Sequence, residues 1–160
     1  MIKAKLLFPL ALSATLVLLS SCNSSSPAEP TGEPVSVSLQ AIQNLLDEQV
    51  EAWNEGNIET FMEGYWNSDS LRFASGGNVR RGWDVTLERY LNTYPDRAAM
   101  GELAFVDLEM RRLSPQWATV FGRFQLKREA PLEDLTGLFT LMFEKRQEGW
   151  IIVSDHTSAE

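Results

Sequence analysis

The chain has 160 residues, 44% of them hydrophobic and 22% charged, with a formal net charge of −8. That length supports one domain with one core, and an acidic balance argues against a phosphate backbone, so nucleic acid is not an expected partner. Five Trp and eight Phe point to a core or pocket lined with large rings.

At the start, Lys3 and Lys5 precede an almost unbroken apolar run from Leu6 to Leu19. The run is too short and wrongly flanked for a stable spanning helix, so residues 1–21 read as a secretory signal peptide. Leu19-Ser20-Ser21-Cys22 resembles a bacterial lipobox, which implies that Cys22 is lipid-modified and becomes the mature N-terminus. Cys22 is the single cysteine; no internal disulfide can form, and acylation removes a reactive thiol. The stretch up to residue 35 is rich in Ser, Pro, Glu and Gly. With nothing to bury, residues 22–35 read as a flexible tether. The expected location is extracytoplasmic, in the bacterial cell envelope, with the domain at 36–160 held at a membrane by lipid rather than by a transmembrane helix.

From Ser38 to Glu55, the residues Leu39, Ile42, Leu45, Leu46, Val50 and Trp53 form one helical stripe. Ser36 or Ser38 can cap its start, and Gly56 stops it. Asn57 then caps a short helix over Ile58 to Glu63. The polar stretch around Tyr65 to Asp69 breaks the pattern. A short strand at Leu71 to Ala74 turns through Ser75-Gly76-Gly77-Asn78 and returns at Val79 and Arg80. A third helix spans Trp83 to Tyr94 and ends at Pro95. Four strands follow: Leu103–Arg112, Trp117–Arg128, Gly137–Lys145 and Trp150–Ser158, joined by connections of hairpin length. Helices first and an antiparallel meander after them make an α+β plan, a curved sheet with helices on one face.

Several pieces of the chain also stand in a telling order: Ala52-Trp53-Asn54-Glu55-Gly56-Asn57, Ser70-Leu71-Arg72-Phe73, the glycine turn, Arg81-Gly82-Trp83, and the run from Gly149 to Ser158. Together they make residues 36–158 resemble the SnoaL-like members of the nuclear transport factor 2-like superfamily. The resemblance implies a cone-shaped barrel, in which a strongly curved, mostly antiparallel sheet wraps around the long N-terminal helix and leaves a pocket at its open end. It also implies that dimers form readily through the sheet face. Its relatives include ketosteroid isomerase, scytalone dehydratase and polyketide cyclases as well as domains that only bind or assemble, so fold does not settle function.

Regular strand alternation sorts the polar residues. It puts Ala104, Val106, Leu108 and Met110 on one face, with Glu109 opposite. In the last strand it groups His156 with Trp150, Ile152 and Ser154, and Asp155 with Ile151 and Val153. His156 is the single histidine and the candidate general base. Its neighbour Asp155 points the other way, so its candidate partners are Arg72, Glu109 and Arg123. Arg72 and Arg123 are also candidate anion anchors, and by the resemblance Tyr65 and Trp66 lie near the pocket mouth. The candidate ligand-binding set is therefore Tyr65, Trp66, Arg72, Glu109, Arg123 and His156. Each has a plainer alternative: a strand-end histidine in water, rings in packing, or arginines in ion pairs. One histidine, no available cysteine and no carboxylate pair at helical metal-ligand spacing argue against a metal. Neither a nucleotide-binding glycine loop nor a Gly-x-Ser-x-Gly elbow occurs, so no cofactor is expected. The expected function is binding of a small, mostly apolar organic ligand in the cone. The alternatives are a cofactor-independent isomerase, dehydratase or cyclase with His156 as base, and a dimeric interaction module of the cell envelope.

Overall fold

A computed structural model describes residues 34–159. The expected leader, the expected lipidation at Cys22 and the expected tether up to residue 33 lie outside the described residues. Helix α1 (Val35–Glu55) buries Ser38, Ile42, Leu46, Gln49, Ala52 and Trp53, a stripe at helical spacing. It starts from Pro34 with no side-chain cap, not from Ser36 or Ser38. Proline lacks an N–H that would be orphaned at this end in any case, and Ser38 is fully buried inside the helix. Gly56 closes α1 at φ 85°. A side chain there would meet Arg97 Cδ at 2.6 Å, and Arg97 donates to the Trp53 carbonyl at 2.7 Å. The Asn57 side chain caps α2 (Ile58–Met62) by accepting from the Thr60 N–H. Helix α3 (Trp83–Thr93) is followed by a single turn, α4 (Arg97–Met100), that the sequence reading lacked. Pro95 does end α3, but the Asp96 side chain restarts a turn by accepting from Ala99 N–H at 2.8 Å.

Six strands make one sheet: β1 (Arg72–Ser75), β2 (Asn78–Arg81), β3 (Glu102–Arg112), β4 (Trp117–Lys127), β5 (Leu135–Arg146) and β6 (Gly149–Ala159). Their order is β2-β1-β6-β5-β4-β3. All neighbouring pairs are antiparallel except β1 and β6, which run parallel. The molecule is thus α+β, with a curved, mostly antiparallel sheet and its helices on the concave side. The barrel expected from the sequence is not closed: β2 and β3 remain as edges. Helical side chains fill the gap, with Ile42 and Trp53 of α1, Phe61 of α2 and Tyr90 of α3 joining Val120, Leu141, Phe143 and Ile152 of the sheet in one core. Asn54 ties α1 to the edge. Its amide accepts from Leu103 N–H at 2.7 Å and donates to the Leu103 carbonyl at 3.1 Å, as a neighbouring strand residue would.

Two bulges change which side chains face inward. In β3 the register slips between Val106 and Glu109, where Asp107 takes φ 53°. In β6, Met142 of β5 pairs with Ser154 while Phe143 pairs with Ile152, which leaves Val153 as the extra residue. One extra residue inverts the alternation beyond it. The core-facing set of β3 is therefore Leu103 and Phe105 before the bulge, and Leu108 and Met110 after it. This corrects the regular series that began at Ala104. In β6, Trp150 and Ile152 are buried before the bulge, and Asp155 is buried after it.

Gly137 shows how tightly the far end of β5 is packed. A Cβ there would overlap the Ser158 carbonyl oxygen and approach Phe124 Cε1 to 2.7 Å. Gly137→Ala is expected to lower stability by about 1–3 kcal/mol, measured by urea unfolding followed by tryptophan fluorescence. An unchanged midpoint would contradict this packing.

Candidate functional site

A cavity of about 100 Å³, partly open to solvent, lies between the sheet and the helices. Its apolar wall comes from the meander, with Leu103 and Phe105 from β3, Phe124 and Leu126 from β4, and Leu135, Phe139 and Leu141 from β5. Trp53 of α1 and Phe61 of α2 extend that wall. The polar atoms come from Tyr65, Ser75 of β1, Arg89, Tyr90 and Tyr94 of α3, and Asp155 and Thr157 of β6. The rings brace one another edge to face, with Trp53 and Phe61 centroids 5.2 Å apart, Trp53 and Tyr94 4.9 Å, and Phe61 and Tyr90 5.4 Å. Such contacts hold the wall open by geometry as well as by burial.

Local backbone pairing explains how Tyr65 and Asp155 meet. Ile152 N–H donates to the Gly64 carbonyl and Trp66 N–H donates to the Ile152 carbonyl, each at 2.9 Å. This bridge sets Tyr65 beside β6, and the bulge at Val153 then turns Asp155 into the cavity. Tyr65 O–H donates to Asp155 Oδ2 at 2.8 Å, and Thr157 Oγ1 donates to Oδ1 at 2.6 Å. Asp155 is only 3% exposed. Burial pushes its carboxyl up from 3.8 to about 6, against the opposing hydrogen bonds from Thr157 and Tyr65 and the positive charges of Arg89 and His156. Burial, reinforced by the Asp155 charge, also holds the Tyr65 and Tyr90 phenols above their ordinary range. The site thus joins a carboxyl that changes charge near neutrality to phenols that stay protonated, in a mostly apolar chamber.

Of the sequence-derived candidates, Tyr65 lines the cavity and five do not. Trp66 is half-buried under the Arg146 guanidinium, 4.1 Å from its ring. Arg72 is exposed and donates from Nε to Ser154 Oγ at 3.0 Å. Glu109 is exposed beyond the β3 bulge. Arg123 is half-buried and reaches Thr136 Oγ1 at 3.5 Å. His156 is exposed, paired across the sheet with Ala74 and Thr140. It stands on the face opposite Asp155, as adjacent strand residues must, but the bulge puts the carboxylate on the inside. Asp155, Thr157, Arg89 and Tyr90 were missed. Tyr90 lay within the third expected helix, Trp83 to Tyr94, and Asp155 within the last expected strand, on the face of Ile151 and Val153. Arg89 carried none. Among the described residues, no group of three His, Cys, Asp or Glu could hold a metal ion.

A family model for the SnoaL-like domain matches residues 42–160. Among solved structures, an NTF-2 like protein of unknown function from Shewanella oneidensis MR-1 is 43% identical, over 75% of this chain and 98% of that one, with a TM-score of 0.71. A ketosteroid isomerase-like protein from Erwinia carotovora atroseptica SCRI1043 is 20% identical, over 76% of this chain and 95% of that one, with a TM-score of 0.60. An NTF2-like superfamily protein from Salmonella enterica serovar Typhimurium LT2 is 17% identical, over 78% and 92%, with a TM-score of 0.64. The latter two share the fold. No curated protein matches the chain.

The Asp155 carboxyl binds its proton more tightly folded than unfolded, at about 6 against 3.8. Between those values the native state holds the extra proton, so stability falls as pH rises. The contribution is intact below the lower value and lost above the upper one, a difference of about 3 kcal/mol. Asp155→Asn keeps the shape and removes the charge. It is expected to be more stable than the parent by about 1–3 kcal/mol near pH 8 and to lose that advantage near pH 4. Urea unfolding at both pH values checks this, and a pH-independent difference would sink it.

Proposed function

We infer the function from the premise that this chain belongs to the SnoaL-like domain family. The protein takes a small, mostly apolar organic molecule into the cavity between its meander and its helices. The observation that carries this reading is the cavity itself, walled by rings and aliphatic chains, with few polar groups among them, the usual make-up of a small-molecule site. The molecule works outside the cytoplasm, at the surface of a membrane in the cell envelope. Lipid on Cys22 and the tether at 22–35 hold it there. Exposed Phe121 and Met142, on adjacent strands β4 and β5, support a homodimer through the outer face of the sheet.

A second reading is favoured by Asp155. A buried carboxyl raised to about 6 is poised to move a proton at neutral pH. In that reading the protein is a cofactor-independent isomerase, dehydratase or cyclase. The role of base passes from His156 to Asp155, with Tyr65 as the hydrogen-bond donor beside it.

Binding is tested by NMR on the full-length chain with indole, cyclohexanol and similar compact molecules. Shifts at Tyr65, Tyr90 and Phe139 are expected. Leu135→Trp, which adds a ring to the wall, is expected to abolish them without unfolding the protein. If no compound moves these signals, the cavity is not a binding site.

For the second reading, Tyr65→Phe removes a hydrogen bond to the charged carboxylate, so the Asp155 titration is expected to move upward from about 6. The carboxyl carbon shift reads this directly, and the acidic limb of any turnover, where protonation of Asp155 silences the base, must move the same way. A titration that stays in place would remove Tyr65 from the role.

A further inference from the structure

Among the described residues, Arg89 is the one cation in the cavity lining. Its guanidinium lies over two ring faces, 4.7 Å from the Phe73 centroid and 5.2 Å from that of Tyr90. These ring contacts use none of its five N–H donors. Among the described residues, Arg89 forms no hydrogen bond and no ion pair. The neighbouring Asp155 already has its two oxygens engaged by Tyr65 and Thr157. A half-buried guanidinium with idle donors at a mostly apolar cavity is suited to a planar anion.

We propose that Arg89 anchors the carboxylate of a compact, apolar monocarboxylic acid whose body lies against the wall of β3, β4 and β5. The proposal rests on the binding reading above and narrows its ligand class. Two observations select a single carboxylate. The side chains that β3, β4 and β5 bring to the cavity are all apolar, so a second polar group on a ligand body lying against them would be buried without a partner. Asp155 shares the cavity, so a dianion would meet repulsion that one cation cannot offset. A monocarboxylate can share one proton with Asp155, whose charge burial already disfavours.

The test uses the full-length chain near pH 5.5 and matched pairs of equal shape, phenylacetate against 2-phenylethanol and isovalerate against isoamyl alcohol, with affinity from calorimetry. The acids are expected to bind at least about tenfold more tightly than the alcohols, since a charge-assisted fork contributes at least that much. Arg89→Gln is expected to erase the difference while alcohol binding persists, and Arg89→Lys to restore only part of it. Should the variants fail to fold, the wild-type acid-to-alcohol ratio decides. Acids and alcohols binding alike would overturn the anchor and leave the cavity reading standing. Binding of neither would overturn both.

Discussion

Two backbone hydrogen bonds between Ile152 and the Gly64–Trp66 segment set the geometry of the cavity. They give β6 a partner on the side away from β5 before β1 takes over the pairing. Tyr65 is thereby brought beside the last strand, and the bulge at Val153 turns Asp155 to meet it. A strand held on both sides has little freedom to slide, because a one-residue slip would exchange its buried and exposed faces. The position of the carboxyl is thus a property of the sheet and not of a loose terminus. Asn54 does the same work at the other edge, fixing the start of β3 against α1.

Much of the architecture was legible because its signals are local. The stripes of α1 and α3 follow a 3.6-residue period, and Gly56, Asn57 and Pro95 mark their limits. The four long strands stand between evident turns, and their order led to the family. The faces of those strands were not legible beyond the bulges. A bulge is decided by two chains pairing, and neither Val153 nor Asp107 advertises one. Asp107 adopts a positive φ that aspartate tolerates better than most residues, so no glycine betrays the place. Alternation was therefore right as far as Ile152 and inverted after it, so regular alternation favours His156 where the fold uses Asp155. The open edges of the sheet were hidden for a similar reason. Whether a curved sheet closes depends on what fills its concave side, and α1, α2 and α3 fill it with Trp53, Phe61 and Tyr90.

The site concentrates the energetic tension of the fold. A buried, ionisable Asp155 weakens the native state at neutral pH, and Arg89 is kept from water over part of its surface. Both are tolerated because the surrounding rings bury large apolar areas and lock one another edge to face. Destabilising groups gathered at one cavity are the pattern expected where chemistry or recognition has shaped the sequence; among the described residues, Trp150 Nε1 is the one buried side-chain polar atom left without a hydrogen-bond partner.

The parallel pairing of β1 with β6 has a kinetic consequence. Arg72 and Ser154 lie side by side yet are 82 residues apart in sequence. The β1–β2 hairpin cannot find its neighbour until nearly the whole meander has been synthesised, and an isolated two-stranded hairpin is marginal in water. Contacts of such long range raise the loop-closure entropy of the folding barrier and slow its crossing. The cavity draws residues from both ends of that separation, so it is complete only once β1 and β6 have paired.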